Sequence, residues 1–290
     1  MKTYFDCIPC FIRQALDSVR LITDDENIHE EIIISAMKMA VDMDLRKSPP
    51  EMAKKIHRLI RQLTGIDDPY KEIKASFNAF AMQMYPKAKK YIEESDDKIE
   101  AAVKFAIAGN IIDFGVNAGL KNHHVHEAID ESLETSIEPK ALQRFKDAVA
   151  RAKNILYLGD NAGEIVFDKL LIEQLPTEKI TFAVRGKPII NDITMEDAEF
   201  VSMTELVPVI DNGDDAPGTV LEDCSQQFQD KFADADMIIA KGQGNYETLS
   251  EVDKNIFFIL KAKCEIIAQH LGCEVGSMVL KDKFLTRESS

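Results

Sequence analysis

A change of hydrophobic period near residue 150 is the strongest constraint on what this chain can fold into. Before it, apolar residues recur three and four apart in CFIRQALDSVRLI, IHEEIIISAMKMAVDM, EMAKKIHRLIRQLTG, YKEIKASFNAFAMQMYPKAKKYI, KIEAAVKFAIAGNIIDFGV and VHEAIDESLE, the spacing of amphipathic helices. After it, the β-rich runs NILYLG, KITFAVRG, ELVPVID, DMIIAKG, IFFILKAK and SMVLK alternate with amphipathic segments such as EIVFDKLLIEQL and CSQQFQDKFADA. Strands alternating with helices predict βαβ units and a largely parallel sheet covered on both faces. The expectation is a multihelical domain over 1–150 followed by an α/β domain over 151–290.

At 290 residues and 45% hydrophobic, the chain is long enough for a sizeable core or two. A formal charge of -15 argues against a nucleic-acid partner, because that affinity rests on Lys and Arg neutralising phosphates. No apolar run approaches the roughly 20 residues that span a bilayer, and MKTYFDCIPCFIRQ lacks a signal-peptide apolar region. The expected setting is cytoplasmic, with no membrane partner; oligomeric state is not legible. Five cysteines, an odd and sparse set, point to free thiols or a metal site more than to a disulfide frame.

In a parallel sheet, ligands bind beyond the carboxyl ends of the strands. Three polar clusters fall there: Gly159-Asp160-Asn161-Ala162-Gly163-Glu164 after NILYL, Arg185-Gly186-Lys187-Pro188 with Asn191 and Asp192 after KITFAV, and Lys241-Gly242-Gln243-Gly244-Asn245 after DMIIA. Each has a plain alternative. Asp160 or Asn161 suits a helix N-cap, as does Asp192 ahead of TMEDA. Arg185 and Lys241 suit solvated surface positions, and the glycines a turn. Three clusters on one rim fit capping less well than one would.

Together the clusters hold coherent chemistry. Asp160, Asn161 and Asp192 offer two carboxylates and an amide oxygen, hard ligands suited to Mg²⁺, Mn²⁺ or a similar ion. Arg185 and Lys241 can hold phosphate charge, and helix-start N–H groups add to it. These are parts for phosphoryl transfer or hydrolysis, with Asp160 as either ligand or nucleophile.

The set GDNAGEIVFD, VRGKPIINDITMEDA, DNGDDAPGT and KGQGNYE, extended by CIPC, DDPYKEIKASFN and AGNIIDFG, resembles the domain-of-unknown-function family eighty-nine of metal-dependent damage-control phosphatases, in its short microbial and archaeal branch with CxxC. The resemblance implies a helical domain on a three-layer α/β/α, Rossmann-like domain. It implies hydrolysis of phosphate esters of small metabolites, often sugar phosphates, with Mn²⁺, Co²⁺, Ni²⁺ or Mg²⁺. By its motifs the metal ligands fall on Asp160, Asn161 and Asp192. Phosphate contacts fall on Lys241, Gly242, Asn245 and Tyr246, an acidic catalytic position on Glu164, and pocket-bordering residues on Asn110 and Asp113. Arg185 belongs to the VRG of this branch.

Two other functions stay open: a carboxyl methyltransferase using S-adenosylmethionine, and a non-catalytic metal- or metabolite-binding module. The first is discouraged, since no glycine-rich cofactor loop follows the first strand of the α/β half. Cys7 and Cys10 supply only two zinc-type ligands, so a second metal there, a redox pair and buried small hydrophobes are three parallel readings. His123, His124 and His126 read as a solvated helix start more than a metal set. Lys74 and Asn78, one helical turn apart, can present two polar groups to a cleft.

Overall fold

The computed structural model describes residues 1–109 and 133–283. Over these, the helices are α1 Cys7–Ile22, α2 Glu26–Val41, α3 Pro49–Thr64, α4 Lys71–Glu94, α5 Lys98–Ala108, α6 Pro139–Arg151, α7 Glu164–Ile172, α8 Met195–Phe200, α9 Gln226–Asp234, α10 Gly242–Leu249 and α11 Glu265–Leu271. The strands are β1 Ile155–Leu158, β2 Ile180–Val184, β3 Val209–Asp211, β4 Met237–Lys241, β5 Ile256–Lys261 and β6 Met278–Asp282. Asn110, Asp113, the histidines 123, 124 and 126, and most of the VHEAIDESLE segment lie outside the described residues.

The strands form one sheet in the order β3-β2-β1-β4-β5-β6, parallel except for the β5–β6 edge pair. The fold is α/β, and its sheet runs largely parallel as the alternating pattern predicts. Strand order reverses direction between β1 and β4, so the loops leaving these two strands diverge and open a crevice at their carboxyl ends.

Alternation along the strands assigns the faces. Ile155 and Tyr157 join Phe182, Ile239, Phe257 and Ile259 in one core with α4, α5, α6 and α7. Leu156 and Leu158 join Ile238, Ala240, Phe258 and Leu260 in another, with residues of α9, α10 and α11. These are the three layers. The helices before residue 151 therefore divide: α1, α2 and α3 bury Phe11, Ala15, Val19, Ile32, Ile56 and Ile60 in a core of their own, while α4 to α6 share the core of the sheet.

Local sequence explains the starts of the helices that frame the crevice. Ser48 and Glu51 form a reciprocal capping box ahead of Pro49 and Pro50, so α3 begins sharply. Helix α4 passes through Pro86 without ending, which its packing against α7 and α5 sustains.

Helix α3 is fastened to the segment after β3 by buried charge. Lys54 donates to Asp214 at 2.5 Å and to Asp223 at 2.7 Å; Arg58 and Arg61 both donate to Asp215, which is 3% exposed. Arg61 also donates to the carbonyl of Pro188 at 2.9 Å. This is the work of the DNGDDAPGT stretch: it holds the helical layer over the strand ends.

Burial opposes the charge of Asp215, but the guanidinium of Arg58 and the charge of Arg61 outweigh it and hold the carboxyl below its usual value. Its contribution to stability is therefore complete above the unfolded carboxylate range and is lost as pH falls through the lower folded value. Asp215→Asn is expected to cost roughly 2 kcal/mol at neutral pH. Urea unfolding from pH 7 to pH 3 should show the gap to the parent narrowing; a constant gap would contradict the pairing.

Candidate functional site

The loop leaving β1 and the loop leaving β2 are tied by a short antiparallel backbone pairing. Ile193 N–H donates to the Asp160 carbonyl and Ala162 N–H to the Asn191 carbonyl, each at 2.9 Å, with Asn161 opposite Asp192. Two loops separated by a helix thereby present Asp160, Asn161 and Asp192 side by side, all less than 9% exposed. Ile190, just before the pairing, has φ of 46°, a left-handed backbone costing about 1–3 kcal/mol in a β-branched residue and held here by its surroundings.

The capping alternative fails for all three. The residue before α7 is Gly163, with φ of 78° and no side-chain cap of its own. Its N–H donates instead to Asn78 Oδ1 of α4 at 2.7 Å. Ahead of α8 the cap is Thr194, boxed with Asp197. Asp160, Asn161 and Asp192 are thus free of that duty. Lys74 and Asn78 do reach across as a pair: Lys74 meets Asp68 and Asp197, and Asn78 donates to Asp197 at 2.8 Å.

Arg185 and Lys241 are not surface charges. Arg185, 3% exposed, donates to Asp192 Oδ2 at 2.7 Å and stands 3.9 Å from Asp160 Oδ1. Its other nitrogens approach Thr219 Oγ1 and Asn245 Oδ1 at 3.4 Å. Asn245 is itself fixed, accepting from Thr219 at 2.8 Å and donating to the Lys241 carbonyl at 2.7 Å.

Lys241 differs from its expected role. Its ammonium, wholly buried, donates to Glu164 at 2.7 Å and to Asp168 at 2.5 Å, beneath the rim. Burial works against its charge, yet the two carboxylates raise its affinity for the proton and keep it an ammonium. Glu164 is drawn into the same network, since Asn161 donates to Asp160 at 2.8 Å and to Glu164 at 3.2 Å. Tyr246 also departs from the phosphate-contact expectation: its hydroxyl bonds His270 Nδ1 at 2.7 Å within the α10–α11 core.

Gly242 allows the closest approach in the site. Its φ is 78°, and a Cβ there would fall on the Asp160 carboxylate, so β4 can turn into α10 against that group only with glycine. The N-terminal turn of α10 lines the crevice through Gln243 and Gly244.

A cavity of about 630 Å³ lies over these groups, lined by Asp160, Asn161, Asn191 and Asp192 below, by Pro49, Pro50 and Ala53 of α3, and by Gln243, Glu247 and Lys263. Lys263 and Glu247 escaped sequence reasoning: Lys263 ends the run IFFILKAK read there as strand, although β5 stops at Lys261, and Glu247 lies past the Lys241–Asn245 cluster. Burial raises the Glu247 carboxyl to about 7. Asn191 lines the cavity, and its Nδ2 is buried with no hydrogen-bond partner among the described residues.

Charge bookkeeping favours a cation. Asp160, Glu164, Asp168 and Asp192 are four buried carboxylates around the two buried cations Arg185 and Lys241, with Lys263 at the cavity wall offsetting part of the excess. Burial, then Glu164 and Asp192, push the Asp160 carboxyl well above its usual range, with Lys263 and Arg185 only partly opposing. Burial likewise raises Asp192. Two crowded carboxylates and an amide oxygen fit a hard divalent ion. Among the described residues no three His, Cys, Asp or Glu side chains are grouped as a ready cage, so the fit depends on Asn161 and on positions left to water or ligand. For the second metal expected at Cys7 and Cys10, no ready cage is grouped among the described residues either.

An α/β sheet whose switch-point loops gather acidic and amide oxygens beside a buried guanidinium places the chain in a class of acidic-site Rossmann-like proteins. Comparison narrows the class: the chain belongs to the damage-control phosphatase ARMT1-like domain family, whose sequence model matches residues 3–279. It is 39% identical over 287 residues to an uncharacterized protein of Methanocaldococcus jannaschii, covering 95% of this chain and 93% of that one. It is 35% identical over 286 residues to a damage-control phosphatase of Archaeoglobus fulgidus, covering 95% and 97%. A damage-control phosphatase of Pyrococcus horikoshii is 35% identical over 290 residues, covering 98% and 99%. The crystal structure of that Pyrococcus protein, described as a DUF89 family protein, matches with a TM-score of 0.89 at 34% identity over 98% of this chain and 99% of its own.

The pairing of Lys241 carries a prediction. Lys241→Met strands Glu164 and Asp168 without their cation, and breaking such a buried pair costs about 3–5 kcal/mol. Urea unfolding should register that loss. A variant of parental stability would place the ammonium elsewhere.

Proposed function

We propose that the chain is a metal-dependent phosphatase that hydrolyses phosphate monoesters of small metabolites, sugar phosphates or related damaged phosphometabolites. The observation that carries this reading is the loop pairing that sets Asp160, Asn161 and Asp192 side by side in the cavity floor against Arg185. Carboxylates so placed repel an anionic substrate unless a cation enters with it.

Asp160, Asn161 and Asp192 would hold the divalent ion, Mn²⁺, Co²⁺, Ni²⁺ or Mg²⁺. When bound, it would polarise a phosphoryl oxygen or activate water. Arg185 is held by Asp192 on one side and steadied by Asn245 and Thr219 on the other, so its guanidinium offers a fixed fork to phosphate oxygens. Asn191 adds an unspent donor. Glu164 and Lys241 work as a pair: the ammonium keeps Glu164 in place beside Asn161. Gly242 gives Asp160 its room, Asn245 orients Arg185, and Tyr246 anchors the helix that carries Gln243 and Glu247. Asn110 and Asp113 remain in the proposal as pocket-bordering residues on their motif alone. The family membership and the names of the Archaeoglobus and Pyrococcus relatives support the phosphatase class. The carboxyl methyltransferase alternative finds no comparable support, because the loop after β1 is filled with ligand-type side chains where that cofactor wants open backbone.

No helix among the described residues is long and apolar enough to cross a membrane. The cavity volume of about 630 Å³ suits a single small phosphorylated metabolite.

Chelator-stripped protein assayed on p-nitrophenyl phosphate with each of the four ions is expected to regain phosphate release with at least one. Asp160→Ala and Asp192→Ala should each lose at least about 100-fold of that rate, on the scale of a lost charge-stabilising group. Parental turnover in either variant contradicts the assignment.

A further inference from the structure

The CIPC stretch lies on the wall of the same cavity. Cys7 and Cys10 are the first and fourth residues of α1, and both line the space above Asp160 and Asp192. Across it stands Cys264, the residue before α11, whose sulfur is 3.9 Å from Gln243 Nε2. Cys224 and Cys273 are not cavity residues, and all five cysteines are free thiols. Three thiols around one candidate site is a specific placement: Cys264 is remote in sequence and only the fold brings it there.

No metal cage is grouped around these thiols among the described residues, whereas their chemistry as a pair needs none. Residues three apart on a helix have Cβ atoms about 5–6 Å apart, close to what a disulfide needs after a small adjustment of the first turn. Cys10 is exposed and Cys7 half-buried, so a reagent meets Cys10 first.

We propose that Cys7 and Cys10 form a reversible thiol modification site that takes a low-molecular-weight disulfide, and that its oxidation closes down the cavity holding Asp160, Asn161 and Asp192. The Cys10 thiolate attacks one sulfur of the reagent, forming a mixed disulfide and expelling one thiolate. The Cys7 thiolate then attacks the Cys10 sulfur, forms the Cys7–Cys10 bond and expels the second. Two protein thiols are oxidised, one external disulfide is reduced to two thiols, and two protons leave the cysteines.

Two consequences follow from position. Phe11 and Gln14 of the same helix also line the cavity, so a first turn pulled tight between Cys7 and Cys10 moves that wall. Burial raises both thiols above their usual range, with the neighbouring charge of Glu247 and of the other thiols adding to it. The pair is therefore slow to react near neutral pH, and its oxidation should quicken as pH rises and thiolate appears.

The test equilibrates fully reduced, full-length protein in glutathione buffers from reducing to strongly oxidising, traps free thiols with N-ethylmaleimide, and maps the peptides. Expected is a Cys7–Cys10 disulfide at the oxidising end, reversed by dithiothreitol. It should be absent in Cys7→Ser, which instead retains the glutathione adduct on Cys10, and unchanged in Cys224→Ser. On p-nitrophenyl phosphate with its activating metal, the oxidised form should lose most of its rate, while Cys10→Ser loses none on oxidation. Thiols that stay alkylatable throughout, or an oxidised form with undiminished rate, would overturn the proposal. The mapping needs no turnover, so only the rate measurement rests on the phosphatase reading, and a protein inactive in both states would fault that reading and leave the mapping standing.

Discussion

Everything distinctive in this structure depends on the backbone pairing that sets Asn161 against Asp192. Without it the loops after β1 and β2 would be two ordinary connections, each with a polar residue or two. With it, Asp160 and Asp192 are brought together in the floor of the cavity, each largely withdrawn from solvent, where their repulsion is weakly screened. Arg185 lies against Asp192, Asn161 donates to Asp160, and Gly242 gives way to the carboxylate. Such crowding of buried carboxylates costs stability, and the divalent ion proposed for this site would offset that cost.

The surrounding framework holds this arrangement rigid. Lys241 ties β4 to α7 through Glu164 and Asp168, and Tyr157 donates to Asp168 at 2.7 Å from within β1. Asn78 closes the start of α7 from a helix in another layer. Asp214 and Asp215 fix α3 above. All but the Tyr157–Asp168 bond join segments distant in sequence, so the crevice is defined by the whole fold and not by one loop.

Much of this was legible in the sequence. The period change near residue 150 anticipates the helices and the largely parallel sheet, and the strand-end rule picks out Asp160, Asp192 and Arg185 as neighbours before any coordinates. What periodicity cannot carry is which polar group meets which. Lys241 looks like a rim residue because its motif follows a strand, yet its partner Asp168 lies a full turn into α7, 73 positions earlier. Asp160 and Asn161 look like helix caps because cap preference is a local rule; the cap actually comes from Asn78, 85 positions away. Cys7 and Cys264 share a cavity for the same long-range reason, so CIPC read alone stays ambiguous between metal, redox and packing.

The central claim is that Asp160, Asn161 and Asp192, brought together at the switch point, form the proposed divalent-ion site. Calorimetric titration of chelator-stripped protein with Mn²⁺ at pH 7 measures that directly. Saturable binding, lost in Asp160→Ala and in Asp192→Ala, is the predicted result, because the two carboxylates supply the charged ligands. Absence of binding, or binding unchanged in both variants, would contradict it.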